Sequence, residues 1–305
     1  QGYPLDRLET IIADGGSTDG TRKVIELYRT MHPEHKVVLV ENPDRIIPAA
    51  LNRAIEAATG EILMRLDGHS RPSPGYLEAC VKLVQEGRGD MVGGVWHIQP
   101  GNDTWQARSV AVAASHPAGV GDAYYRWATT AREVDTLAFW AFHRSWIEKV
   151  GYFDQTLLAN EDYDFNSRFR AAGGRIWLDP SVSCVYYARP TFASLARQYW
   201  RYGYWKAKMA KRFPETLRWR QFLPPSVLLG ASLMLLGGFL AQWLWWILAG
   251  IAGLYLSILF FVGVVQAVRR ADPVVALGMP IAIAIMHVCW AAAFLWSFAS
   301  GSRGR

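Results

Sequence analysis

The chain has 305 residues, 51% of them hydrophobic, and a formal net charge of +6. The charges are segregated: residues 222–268 and 273–302 contain no Asp, Glu, Lys or Arg, which excludes a single soluble domain, because an uncharged apolar stretch of about 18 residues already reads as a membrane helix. Residues 1–196 are net −4, residues 197–220 net +7 and residues 222–305 net +3; the positive charge thus sits ahead of the first apolar run, where anionic lipid attracts it, and no nucleic-acid partner is expected.

Three regions are expected: 1–190 as a water-soluble domain, 191–221 as an amphipathic basic segment at the membrane interface, and 222–305 as a membrane region. In the first, residues 8–14 form an apolar run that ends in Asp14 and a Gly-rich turn. Residues 21–31 have helical spacing, with Val24, Leu27 and Tyr28 on one face. Residues 36–40 read as a strand. Residues 47–59 read as a helix with Pro48 in its first turn and Gly60 as its stop. A strand over 61–67, a helix over 74–85 and a strand over 91–97 follow. Strands alternating with helices imply an α/β fold with a mostly parallel sheet, whose ligands bind beyond the carboxyl ends of the strands. Asp14 and Asp67 stand at such ends.

Residues 98–135 read as a loop-rich flap, in which His116 is a polar loop residue with no assigned role. Helices are expected over 139–150 and 162–172, and a short strand over 175–178. Phe192, Leu195, Tyr199, Tyr202, Trp205, Met209 and Phe213 recur at steps of three and four. They form the apolar stripe of a basic helix lying in the membrane interface; a helix packed on the soluble core is its alternative. Membrane helices are expected near 223–241, 244–268 and 274–298. Cys80, Cys184 and Cys289 lack metal-ligand spacing and read as buried small residues in a reducing compartment. The chain opens on Gln1, already close to a strand, so an additional N-terminal piece is expected.

Four motifs carry chemistry. Asp14-Gly-Gly-Ser-Thr-Asp-Gly-Thr21 joins a strand to a helix with glycines that admit a ligand to the backbone, and it is equally ordinary turn chemistry. In Asp67-Gly-His69, residues i and i+2 of an extended segment face one side and could share a cation, Mn²⁺ more readily than Mg²⁺; a capping Asp beside a solvent-facing His is the plainer reading. Asn160-Glu161-Asp162-Tyr163-Asp164 gathers three carboxylates at a helix start, where they either cap the dipole or supply a general base of raised pKa. Gln198-Tyr-Trp-Arg201-Tyr-Gly203 offers an amide and a guanidinium beside the membrane.

In this order the four motifs resemble those of the family 2 glycosyltransferases, which have the GT-A fold, over most of residues 8–215. The wording RLDGHSRP, GVGDAYYR, VDTLAF and RQYWRYGYWKAK is similar to exopolysaccharide glucosyltransferases of the succinoglycan-biosynthesis (ExoA) type. The resemblance implies that Asp14 contacts the base, that Asp67 and His69 hold a divalent cation (Mn or Mg), and that Asp162, next to Glu161, is the catalytic base. Arg201 would help the diphosphate leave, and Arg71 and Gln198 would join Asp14 and Asp67 in holding the donor. His69 stands where the family has its second carboxylate, and Tyr202 where processive synthases have Trp.

The implied activity is an inverting, metal-dependent hexosyl transfer from a nucleotide diphosphate sugar, a UDP-sugar by the family pattern, to a lipid-linked saccharide acceptor in exopolysaccharide or cell-surface glycan synthesis. The protein is expected in the inner (plasma) membrane as a multi-pass protein in contact with membrane lipids, its catalytic domain facing the cytoplasm. Trp140 and residues 134–143 are candidates for acceptor-site walls or for core. The alternatives are a polyprenyl-phosphate glycosyltransferase, a processive polysaccharide synthase, and a non-catalytic nucleotide-sugar-binding membrane assembly component.

Overall fold

The computed structural model describes residues 1–68, 70–214 and 219–300. His69, one half of the expected cation pair, lies outside the described residues. Two compact units form, Gln1–Trp96 with Ala128–Cys184, and His97–Trp127 with the chain from Val185 onward. Residues 97–127 therefore fold with the C-terminal helices rather than as a flap of the α/β region.

The first unit begins with β1 (Glu9–Asp14), α1 (Thr21–Met31), β2 (Lys36–Glu41), α2 (Ile47–Ala57), β3 (Ile62–Met64), β4 (Ser70–Pro72) and α3 (Tyr76–Gln85), followed by β5 (Met91–Gln99). After the excursion into the second unit come β6 (Arg132–Glu133), β7 (Ala141–His143), α6 (Trp146–Val150), α7 (Glu161–Ala171) and β8 (Ile176–Tyr187). Strands β1 and β2 pair in parallel, as the alternating strands and helices predict. The larger sheet has the order β3-β7-β5-β8-β4, with β6 on β8. Strand β7 runs antiparallel to both β3 and β5, so those two point the same way and the strand between them is reversed. The sheet is thus less uniformly parallel than the N-terminal alternation suggests.

That strand also corrects the helix expected over 139–150. The run Phe139-Trp140-Ala141-Phe142 is buried throughout; a short apolar run has no polar face to reveal its period, and here it leads into β7, which takes in Ala141 and Phe142, with only Trp146–Val150 helical. Trp140 belongs to the core. Its ring lies 4.6 Å from Phe142 and stacks on Phe153 and Phe165 at 6.0 and 5.9 Å, so it is no acceptor wall. Phe165 and Phe169, one turn apart on α7, complete this cluster. Aromatic pairs of this kind contribute about 0.5–1.5 kcal/mol each beyond their buried area. They fix α7 against the sheet and with it the start of the helix, where the acidic motif sits. Val24, Leu27 and Tyr28 do share one face of α1, but that face is exposed and Ile25 is the buried residue.

The second unit contains α4 (Trp105–Ala114), α5 (Pro117–Val120), α8 (Phe192–Arg212), α9 (Leu223–Gly237), α10 (Trp243–Arg270) and α11 (Val275–Ala299). Helix α4, unforeseen in the sequence, starts at Thr104, whose hydroxyl accepts from the Ala107 amide. It packs on α11 where Gly278 leaves room for Ser109, and Arg108 Nε donates to Asp272 at 2.9 Å. Helix α8 also lies along α11. A Cβ on Gly203 would collide with the Trp290 carbonyl, and Lys211 Nζ donates to the Ser297 and Phe298 carbonyls. The buried side of α8 is thus occupied by other helices of its own unit.

Two described helices, α10 and α11, are long and apolar enough to cross a membrane. Helix α9 has 15 residues; at about 1.5 Å per residue it falls short of the ~30 Å hydrocarbon layer. The charge-free runs predict three spanning helices, but the chain turns after Gly237-Gly238 before α10 begins. Only 11% of the most apolar window of α10 is buried in the protein, whereas the core helix of a soluble domain would be mostly buried.

Candidate active site

Asp14 ends β1 and is buried. Its carboxylate accepts from the Gly16 amide at 3.2 Å, the Ser17 amide at 3.2 Å, the Ser17 hydroxyl at 2.5 Å and Arg22 Nε at 2.6 Å. Arg22 bridges on to Glu41 at the end of β2. The Ser17 hydroxyl and Arg22, outweighing the effect of burial, hold the Asp14 carboxyl down at about 2. The carboxylate therefore closes the glycine-rich turn that follows it. Gly16 and Gly20 both take positive φ there, which supplies the sharp reversal into α1.

The second group is built around a residue that none of the four motifs contains. Arg65 follows β3 and is buried at 6% exposure. Its amide donates to the Trp140 carbonyl at 2.9 Å, which ties it to the aromatic core. Its Nε donates to Asp67 Oδ1 at 3.0 Å, and its second terminal nitrogen reaches Glu161 Oε1 at 3.5 Å. Three carboxylates, Asp67, Glu161 and Asp162, share the field of this one guanidinium. The remaining nitrogen, Nη1, is buried without a hydrogen-bond partner among the described residues. A lone arginine in the otherwise apolar strand signal EILMRLD is the available clue, since arginine is almost never buried unless paired.

Glu161 and Asp162 open α7 after Asn160, which takes a left-handed φ of 64°. Burial pushes the Glu161 carboxyl up to about 7; the negative charge of Asp162 adds to this and Arg65 opposes it. Asp162 is raised too, by burial and by Asp67, against the pull of Arg65 and of the Tyr163 amide at 2.8 Å. The residue as a whole is partly exposed. Asp164 is placed differently, buried against Arg168, whose Nε and terminal nitrogen donate to Oδ2 at 3.0 and 2.8 Å. Arg168 in turn donates to the Val150 and Tyr152 carbonyls. Of the three clustered acids, Asp164 is structural and the other two face Arg65.

Asp67 is partly exposed, with 29% of its side chain accessible, and its backbone carbonyl accepts from the Ser70 amide and hydroxyl. Arg71 is exposed on β4. Among the described residues no group of three His, Cys, Asp or Glu side chains gathers to hold a metal. Gln198 and Arg201 lie on α8 in the second unit: Gln198 donates to Tyr202 Oη at 3.0 Å and to Tyr186 Oη at 3.5 Å, and Arg201 is exposed. His116 accepts from the Ala118 amide and caps α5. Cys80 and Cys184 are buried and Cys289 partly so, all as free thiols.

The α/β domain carries carboxylates at strand ends and at a helix start, and solved structures share its fold. The mannosyltransferase PcManGT from Pyrobaculum calidifontis, in complex with GDP-Man and Mn²⁺, superposes with a TM-score of 0.62 at 22% identity, over 99% of this chain and 81% of that one. The fold is therefore GT-A. Residues 1–151 match the sequence pattern of Glycosyl transferase family 2. Succinoglycan biosynthesis protein ExoA of Rhizobium meliloti (strain 1021) is 30% identical over 294 residues, 93% of this chain and 84% of that protein. A Methanococcus voltae protein named dolichyl N-acetyl-alpha-D-glucosaminyl phosphate 3-beta-D-2,3-diacetamido-2,3-dideoxy-beta-D-glucuronosyltransferase is 24% identical over 225 residues, 72% of this chain and 69% of its own. The chain belongs to glycosyltransferase family 2, and is a transferase of polysaccharide or glycan biosynthesis.

Proposed function

We propose that the protein is a membrane-bound, inverting glycosyltransferase that moves a hexose from a nucleotide diphosphate sugar, a UDP-sugar, onto a lipid-linked saccharide. The observation that carries this reading is the group formed by Arg65, Asp67, Glu161 and Asp162, in which two adjacent carboxyls of raised pKa face one buried guanidinium. Asp162 is the general base that takes the acceptor hydroxyl's proton. Its raised pKa brings it closer to working pH, which strengthens a base of this kind. Glu161, protonated up to about 7, keeps a second negative charge away from it through much of the acid range.

Asp67 and His69 would hold the divalent cation. One hard carboxylate and an imidazole suit Mn²⁺, with water and diphosphate oxygens completing the shell. When bound, the cation supplies charge neutralisation for the departing nucleoside diphosphate. The buried Nη1 of Arg65 offers one more donor beside this position. Asp14, through the turn it holds closed, shapes the nucleotide side of the site, and Arg71 supplies a further contact to the donor phosphates. The long, exposed α10 supports a membrane location, and the dolichyl N-acetyl-alpha-D-glucosaminyl phosphate in the name of the Methanococcus relative supports a lipid-linked acceptor.

The test is a panel of labelled nucleotide sugars with Mn²⁺ and a membrane lipid extract as acceptor. Transfer of label into the organic-extractable fraction, abolished by EDTA, is the expected result. No transfer from any donor would sink the enzyme reading in favour of a nucleotide-sugar-binding component.

A further inference from the structure

The second unit contains a group of hydrogen-bond donors outside the site just described. After α4 the chain forms the short α5, capped by His116, and turns at Gly121, which has a φ of +59°. Trp127 Nε1 donates back to the Gly121 carbonyl at 3.0 Å, and the Arg126 and Trp127 amides donate to Ala123 and Tyr124 at 2.9 and 3.0 Å. This closed loop presents Arg126 among tyrosines from three segments: Tyr125 beside it, Tyr186 at the end of β8, and Tyr199 and Tyr202 on α8. Arg126 Nε donates to Tyr125 Oη at 3.4 Å, with its guanidinium carbon 5.4 Å from that ring. The Tyr199 and Tyr202 rings meet edge-on at 5.7 Å, and the Gln198 amide donates to the Tyr202 and Tyr186 hydroxyls.

Burial pushes the Tyr199 phenol up to about 12 and raises that of Tyr202 as well, so both keep their O–H at neutral pH. The loop and α8 thus bring together one permanent cation, four phenol hydroxyls and an amide. Hydroxyls can turn to donate, and a guanidinium fork matches the oxygens of a phosphate. Helix α8 carries Gln198, Tyr199 and Tyr202 of this group on the segment of net charge +7 and packs along α11, one of the two described helices long enough to cross a membrane.

We propose that Arg126, with Tyr125, Tyr186, Tyr199, Tyr202 and Gln198, forms a binding site for the phosphate or diphosphate ester of the lipid carrier. The proposal rests on the lipid-linked acceptor reading and assigns the group that would grip the carrier at the membrane end. A nucleoside diphosphate presents the same phosphate chemistry, and the experiment separates the two sources.

The full chain, purified in detergent, is titrated with farnesyl diphosphate, farnesol and UDP, and binding is followed by tryptophan fluorescence. Farnesyl diphosphate should bind at least about tenfold more tightly than farnesol, the scale of a charge-assisted contact. Arg126→Gln should remove that preference and leave UDP affinity within about twofold, while Arg126→Lys restores part of it. Equal binding of the diphosphate and the alcohol by the wild type would overturn the proposal. So would an Arg126→Gln protein that loses UDP and keeps farnesyl diphosphate, since the anion would then be the donor's. Inorganic diphosphate should displace farnesyl diphosphate but not farnesol from the wild type, a check that needs no folded variant; failure to displace it counts against the site. Asp162→Asn should still bind farnesyl diphosphate, so loss of the transferase reading and loss of this site give different results.

Discussion

Glu161 offers a prediction whose size follows from the structure. Its carboxyl is buried beside Asp162 and titrates near 7 instead of the ordinary 4.5. A carboxyl with a raised folded pKa binds its proton more tightly in the native state than in the unfolded one, so the stability it contributes is full below the unfolded value and is lost as pH rises through the folded value. The gap from 4.5 to about 7 converts, at 1.36 kcal/mol per unit, to about 3 kcal/mol. Asp162 is shifted in the same direction, so the pair titrates together and its contribution adds to the slope. For a unit of this size the loss corresponds to on the order of 5–10 °C in Tm. Thermal unfolding of the detergent-solubilised protein, followed by tryptophan fluorescence between about pH 5 and about pH 8, measures it. The wild type should lose stability across that window. Glu161→Gln, which keeps the side-chain shape and can still accept from Arg65, should lose much less. An identical pH dependence in the two proteins would refute the account of this cluster.

Further outcomes follow from the same contacts. Arg65→Met strands three carboxylates around an empty position and should destabilise the protein by about 3–5 kcal/mol at neutral pH and by less in acid, where the carboxyls protonate; a loss within about 1 kcal/mol at both pH values would contradict the role given to Arg65. Gly203→Ala drives a Cβ into the Trp290 carbonyl and should cost about 1–3 kcal/mol by overpacking, whereas Gly250→Ala, with open space around it, should melt like the wild type. Asp14→Ala releases Ser17 and Arg22 from the turn, so trypsin should cut after Arg22 faster than in the wild type; equal rates would mean that the carboxylate does not hold the loop.

Much of this architecture is legible because punctuation in the sequence is local. Helix α1 has the bounds that its glycine turn and periodicity predict, and Pro48 stands in the first turn of α2 as expected, although that helix ends at Ala57, ahead of Gly60. The charge-free runs locate α10 and α11. Strand β7 is not legible, because a fully buried aromatic run has no exposed face to set its period. Helix α4 is hidden for a related reason: its residues from Ser109 to Ala114 are all buried, so no amphipathic signal survives. At the site, the acidic residues stand out in the sequence but their arrangement does not. Nothing local separates Asp164, which pairs with Arg168 one turn along the helix, from Glu161 and Asp162, which face a guanidinium nearly a hundred positions earlier in the chain. Arg65 itself acquires meaning only when β3 and α7 are brought together.

The central claim, that Asp162 is the base of a sugar transfer to a lipid acceptor, is tested most directly by a transfer assay that compares the wild type with Asp162→Asn. With the donor found active in the panel, the wild type should label an organic-extractable product. The variant should bind the nucleotide sugar unchanged and lose about 10²–10⁴-fold in transfer rate, the usual contribution of a positioned base. An Asp162→Asn protein that transfers sugar at the wild-type rate would contradict the account.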